Sequence, residues 1–305
     1  MKQENSKAEE LLEQGMSYSE NNEYEKALPY FKQAAELGLL EAQCMYIIDL
    51  LVISEESGKD FSSEVKKYVN LIRNAANQGD PDGQACLAML YEEGFGVSED
   101  MKTAVKWYQK AADQGNAGAQ SKLGECYYLG KGVAENDAEA VKWFQKAANQ
   151  EHAKAQYLLG NCYQFGCGVK KDFRKAIEWY KKSIDNGYDE LDVYDSISFA
   201  FLNIIWKMRE NGTNFQKIVN SKELAEGIQY AEYAINHFDC ENAEDGTIYV
   251  ALAELYRYKN LDRALDYAEY AVALGVEDAD ETLQDLRSVN GTFGNIGRFL
   301  SGIFD

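Results

Sequence analysis

Apolar residues along this chain recur three and four positions apart, the interval at which one face of an α-helix repeats. The recurrence itself repeats. Sliding residues 83–187 along themselves by 36 positions aligns Leu87, Leu123 and Leu159, then Tyr91, Tyr127 and Tyr163. Gly94, Gly130 and Gly166 follow, then Gly96, Gly132 and Gly168, and Val97, Val133 and Val169. Ala104, Ala140 and Ala176 come next, and then Trp107, Trp143 and Trp179, each followed by Tyr108, Phe144 or Tyr180. Matches this numerous in three copies define an internal repeat, and the fold is read from it.

Each copy predicts two helices. The first carries Leu and Tyr four apart and stops at Gly-x-Gly-Val, whose glycines accept the positive φ that ends a helix. The second opens at Asp100, Asn136 or Asp172, side chains suited to an N-cap. Glu139 stands three beyond Asn136, the spacing of a capping box. Ala, Trp, the aromatic after it and an Ala-Ala pair give the second helix its buried face. Gly79, Gly115 and Gly187 close the second helices; Glu151 takes that place in one copy, where a looser C-cap is expected.

The flanks follow the pattern less strictly. Leu11, Gly15, Tyr18, Ala27, Phe31 and Ala34 read as a shorter unit. Residues 42–79 form another, with Leu71 and Ile72 in place of the aromatic pair. From Ala34-Ala35 to Ala75-Ala76 the step is 41 residues, five more than 36, and the surplus is assigned to the polar stretch 54–63. Farther on, Tyr230-Ala231-Glu232-Tyr233-Ala234 returns as Tyr267-Ala268-Glu269-Tyr270-Ala271, a shift of 37. Residues 191–209 predict one longer helix, with an irregular loop around Asn211-Gly212, and residues 277–289 predict a capping helix.

The motif Leu123-Gly124, Tyr127, Gly130-x-Gly132-Val133, Ala140, Trp143-Phe144 and Ala147-Ala148 resembles the Sel-one-like repeat, a member of the tetratricopeptide superfamily. The match is strict over residues 79–187. The resemblance implies an all-α, right-handed α-solenoid of helix-turn-helix repeats. Residues 1–290 then read as a single solenoid of about six to seven hairpins with a capping helix, and residues 291–305 as an apolar, Gly-rich tail. In that tail Phe293, Ile296, Phe299, Leu300, Ile303 and Phe304 fall at helical spacings. It either docks on the protein's own groove or last repeat, or engages a partner or another copy.

Charge narrows the partners. The chain has 31 basic and 51 acidic residues, a net charge of −20. Such a surface repels phosphate backbones and anionic membranes, which argues against nucleic acid and membrane partners, and it steers basic segments inward. Residues 1–14 lack the apolar run of a signal peptide, and no stretch approaches the roughly 20 apolar residues of a membrane span. The expected location is cytoplasmic.

Catalytic chemistry finds little to work with. The chain has two histidines, His152 and His237, in unrelated contexts, and its six cysteines form no C-x-x-C pair. No metal or cofactor is implied, and no nucleophile constellation stands out. Gly-x-Gly-Val lacks the preceding strand and third glycine of a dinucleotide loop. The reading is therefore a non-enzymatic scaffold or adaptor, with a chaperone for a secreted or aggregation-prone client as the alternative.

The resemblance also implies where a partner sits, because in the superfamily the first helix of each pair lines the concave side. The residues beside the Leu-Gly-Tyr positions are then the candidates. They are Met89, Glu92 and Glu93 in one copy, Ser121, Glu125 and Tyr128 in the next, and Tyr157, Asn161 and Gln164 in the third. Carboxylates, amides and aromatic rings suit a peptide carrying basic and apolar side chains.

Overall fold

Why the chain folds into hairpins is visible at their turns. In the computed structural model, which describes residues 2–238, 240 and 246–288, Gly94 and Gly96 take φ of 73° and 66°, Gly130 and Gly132 65° and 71°, Gly166 and Gly168 82° and 65°. The reversal is closed by the N–H of Asp100, Asn136 and Asp172 donating to the carbonyls of Tyr91, Tyr127 and Tyr163, each at 2.8 Å. The second glycine has a further reason to be there. A Cβ on Gly96 would lie 2.7 Å from Val65, and one on Gly132 2.6 Å from the Met101 carbonyl oxygen. The turn of each of these hairpins presses its backbone onto the second helix of the hairpin before it.

All regular structure among the described residues is helical. The first unit, Met1–His152, holds α1 (Lys2–Ser19), α2 (Tyr24–Glu36), α3 (Leu40–Ser57), α4 (Ser62–Asn77), α5 (Pro81–Glu93), α6 (Met101–Asp113), α7 (Ala117–Leu129) and α8 (Asp137–Ala148). The second unit, Ala153–Asp305, holds α9 (Ala153–Phe165), α10 (Phe173–Asp185), α11 (Leu191–Glu210), α12 (Phe215–Val219), α13 (Lys222–His237), α14 (Thr247–Tyr256) and α15 (Leu261–Leu274). A further helix, α16, runs through residues 279–288. Helices pair in order, and the second of each pair packs on the first of the next: α2 on α3, α4 on α5, α6 on α7. In the second unit the chain runs α9/α10, α11 with α13, then α14/α15, and α16 buries Leu283 and Leu286 in the same cluster as Ile205 and Leu252. The tail 291–305, and Val289 at the end of the expected capping helix, lie outside the described residues.

The hairpin core is an aromatic ring laid on a glycine. Phe31 packs on Gly15, Phe144 on Gly124 and Tyr180 on Gly160; an added Cβ at any of these glycines would sit 2.5 Å from the ring. Leu87, Leu123 and Leu159 are buried beside them. Burying one Leu contributes about 1.5–3 kcal/mol, against about 1 kcal/mol for an N-cap. Packing therefore holds the hairpin, and the caps decide where each helix begins. Asp100, Asn136 and Asp172 do accept the expected backbone N–H groups.

Four details depart from the sequence reading. The capping box at Asn136 is half formed: Asn136 accepts from the Glu139 N–H at 3.1 Å, but the Glu139 carboxylate turns to Lys142 instead. The expected pairing of Trp with the next aromatic in the core holds fully in one copy only, where Trp143 and Phe144 are both buried. Tyr108, Phe144 and Tyr180 are fully packed, whereas Trp107 and Trp179 are half-buried under the ammonium groups of Lys110 and Lys182, 3.7 and 4.0 Å from the ring centres. The surplus of the second hairpin is helical: α3 has 18 residues where α5, α7 and α9 have 13, and its last turn, Ser54–Ser57, lies within the polar stretch 54–63. Glu151 holds φ at +63°, so the C-terminal turn of α8 keeps the geometry that Gly115 gives α6.

α3 also buries a carboxylate. Asp49 has no exposed surface; its Oδ1 accepts from the Ser19 hydroxyl at 3.0 Å, and its Oδ2 has no hydrogen-bond partner. Burial pushes this carboxyl up to about 6.

Two outcomes follow from this packing. Gly124→Val should cost about 2–3 kcal/mol by driving a branched side chain into Phe144. Gly124→Ala should cost less, because Ala88 occupies the same register in α5; urea denaturation followed by circular dichroism measures both. Asp49 binds its proton more tightly folded than unfolded, so its contribution is most favourable below pH ~4 and worsens as pH rises to about 6. The stability of Asp49→Asn relative to wild type should therefore improve by about 1–3 kcal/mol between pH ~4 and pH ~7. A difference that does not change with pH would exclude this account.

Candidate functional site

The first helices carry the candidate residues, and in the first unit these meet around one lysine. Glu92, near the end of α5, accepts from the Tyr108 hydroxyl at 2.6 Å through Oε2. Through Oε1 it pairs with Lys122 of α7 at 3.2 Å. Glu92 thus joins α5 to α6 and to α7. Burial alone would lower the Lys122 ammonium, but Glu92, Glu125 and Glu93 outweigh it and hold that group above its ordinary value. Burial and the Glu92 carboxylate together push the Tyr108 phenol upward, so it remains a donor. Glu93 is exposed, and Met89, Glu125 and Tyr128 are half-buried. Three carboxylates thus act on one ammonium, and the sum of these charges is negative.

In the second unit α9 offers a different set. Asn161 Oδ1 accepts from the Tyr180 hydroxyl at 2.7 Å. Tyr157 stacks on Tyr188 with ring centres 5.2 Å apart and leans on Tyr180 at 5.8 Å. These side chains are half-buried and partly committed to their own hairpin.

Two of the nine expected residues are not available to a partner. Ser121 and Gln164 are buried inside the helix packing. For Ser121 the reason is that α7 is packed on more than one side, against its own second helix α8 and against α6 of the hairpin before it. A position beside the Leu-Gly-Tyr stripe therefore faces a neighbouring helix as readily as solvent. The Ser121 hydroxyl and the Gln164 Oε1 have no hydrogen-bond partner there.

Sequence reasoning overlooked a second repeated position. Gln84 and Gln120, also 36 apart, are buried near the starts of α5 and α7. Their amides donate to the Ala76 and Ala112 carbonyls of the preceding hairpin at 3.3 and 3.0 Å. Their oxygens accept from Gln114 and Gln150, at the end of their own hairpin, at 2.9 and 2.8 Å. Gln156 receives Asn186 in the same way at 3.0 Å. The identical 36-residue step is the signal for it in the sequence.

Chemistry beyond binding has little footing. Among the described residues no group of three or more His, Cys, Asp or Glu could hold a metal ion. His237 is stacked on Tyr233 with ring centres 3.8 Å apart. All six cysteines are thiols; burial pushes Cys126 up to about 11, and the hydrogen bond to Cys86 together with burial raises Cys44. Neither is a thiolate nucleophile near neutral pH. Among the described residues no helix is long and apolar enough to cross a membrane.

The comparisons agree with this architecture. The Sel1 repeat model matches residues 6–39, 81–116, 117–152 and 153–188. No curated protein matches the chain. A Sel1 repeat protein from Oxalobacter formigenes is similar at 30% identity, covering 71% of this chain and 84% of that one, with a TM-score of 0.53. A protective antigen of uropathogenic Escherichia coli strains, displaying an SLR fold, is similar at 24% identity over 91% and 64% of the two chains, with a TM-score of 0.49. A sel1 repeat protein from Klebsiella pneumoniae shows 21% identity over 66% and 96%, with a TM-score of 0.39. With four matched repeats and a relative this similar along most of its length, the chain belongs to the Sel1 repeat family.

Proposed function

We propose that this protein is a non-enzymatic adaptor whose first-helix face in the first unit receives a partner peptide with basic and apolar side chains. The observation that supports it most is the cluster on α5 and α7. Glu92, Glu93 and Glu125 act together on Lys122 strongly enough to outweigh its burial. Glu92 is taken up by Tyr108 and Lys122, while Glu93 is exposed and Glu125 adds to the negative charge acting on Lys122. A basic side chain entering this face meets an excess of negative charge near a low-dielectric wall, where an ion pair is stronger than on open surface. In the second unit, described by itself, the first-helix candidates Tyr157 and Asn161 on α9 offer a ring and an amide. Membership of a family of protein-interaction repeats favours this reading, and net charge −20 would speed encounter with a basic partner.

Short random peptides selected on the immobilised chain test it, with the best binder titrated by fluorescence anisotropy. The selected sequences should combine Lys or Arg with apolar residues. Glu93→Lys with Glu125→Lys should weaken binding ~10-fold or more, and raising salt from ~0.05 to ~0.3 M should weaken it several-fold. Selection of acidic sequences, or affinity indifferent to both charge reversals in a folded variant, would overturn the proposal.

A further inference from the structure

The second unit carries a surface that the peptide reading does not use. On α11 the buried residues Val193, Ile197, Ala200 and Ile204 define one side of the helix. Phe199, Asn203 and Trp206 stand at i, i+4 and i+7, on a common line. Phe199 and Trp206 are 41% and 40% exposed, and the Asn203 amide between them donates to the Phe199 carbonyl at 2.9 Å. On the neighbouring α9, Phe165 is 57% exposed at the last helical position. Other exposed rings of this unit are already covered: Phe215 lies against Tyr258, Tyr233 against Tyr194 and His237, and Tyr270 against Tyr249. Among the described residues Phe165, Phe199 and Trp206 have no ring partner.

We propose that the aromatic line formed by Phe199 and Trp206 on α11, with Phe165 on α9, is the docking site of this chain's own C-terminal segment, residues 291–305. The chemistry of the two matches. Phe293, Ile296, Phe299, Leu300, Ile303 and Phe304 dominate the segment, and Arg298 and Asp305 are its only charged side chains. Such a segment, with six apolar side chains and one charge of each sign, suits uncharged rings.

The place where the described chain stops also fits. Asp285 of α16 bonds Arg257 at 2.6 Å, and Arg257 pairs with Glu254 at 3.2 Å. Arg209 acts electrostatically on that same Glu254, and it lies three residues beyond Trp206. α16 also buries Leu283 and Leu286 in one cluster with Leu202 and Ile205, in the C-terminal half of α11. The 17 residues from 289 to 305 reach up to roughly 55 Å when extended, so length does not limit docking within one chain.

The test uses the full chain. Acrylamide quenching of Trp206 is read as the difference between each protein and its Trp206→Phe counterpart. Wild-type Trp206 should be shielded, and Phe299→Asp with Leu300→Asp should raise its quenching constant about threefold, with an unchanged circular dichroism spectrum. A labelled peptide of residues 291–305 should then bind this tail variant, and bind ~10-fold more weakly once Phe199→Ala and Trp206→Ala are added. Equal quenching with and without the tail substitutions, and no peptide binding, would overturn the proposal. Shielding that disappears on dilution, with a doubled mass by light scattering, would overturn docking within one chain and assign the site to a second copy. The variants leave Glu93 and Glu125 in place, so peptide selection on α5 and α7 succeeds or fails independently.

Discussion

A helix that ends inside a stack leaves carbonyl oxygens facing a neighbour instead of water, and each must find a donor. In this chain the Ala76 and Ala112 carbonyls accept the N–H of Gly79 and Gly115, and a buried side-chain amide adds a second donor to each. Gln84 and Gln120 reach back to the last turn of the preceding helix and forward to the glutamine that ends their own hairpin. An apolar residue there would fill the space but lose the bonds that tie one hairpin to the next, at a cost of about 0.5–1.5 kcal/mol each. The close approach of one hairpin to the next, and with it the seating of Gly96 and Gly132 on the previous helix, depends on that amide. Gln43 shows the consequence of changing the hairpin. It still donates to Ala35, but its oxygen has no partner, and it belongs to the pair whose first helix is five residues longer.

Much of this architecture could be read from residue spacing. The 36-residue step gave the hairpins, their Gly-x-Gly-Val turns and the N-caps at Asp100, Asn136 and Asp172, since each depends on local backbone chemistry. The long helix α11 and the irregular connection after it were legible for the same reason. What resisted reading depends on the neighbours of a helix. Ser121 and Gln164 lie one step from a recognisable stripe, but a first helix contacts several others, and periodicity does not say how wide its buried sector is. The Trp positions misled in the opposite sense: bulk suggested core, whereas a lysine one turn on shields two of the indoles from solvent.

Charge was legible in amount and not in arrangement. Net charge −20 suggests carboxylates free to attract a partner. The structure spends one of them, Glu92, on holding three helices together, and places a lysine among the others. The useful quantity at a binding face is the charge left over once internal pairs are formed, which composition cannot supply.

The longer α3 has a bearing on how the chain finds its fold. Repeats so similar that leucines, tyrosines and glycines superimpose at 36-residue steps could in principle assemble one hairpin out of place, because each interface resembles the next. A first helix with one and a half extra turns, its own buried aspartate and a differently closed turn matches none of the others. It works as an index mark: a slip by one repeat would set Asp49 against a hairpin built for a shorter neighbour, and the array can be counted in only one way.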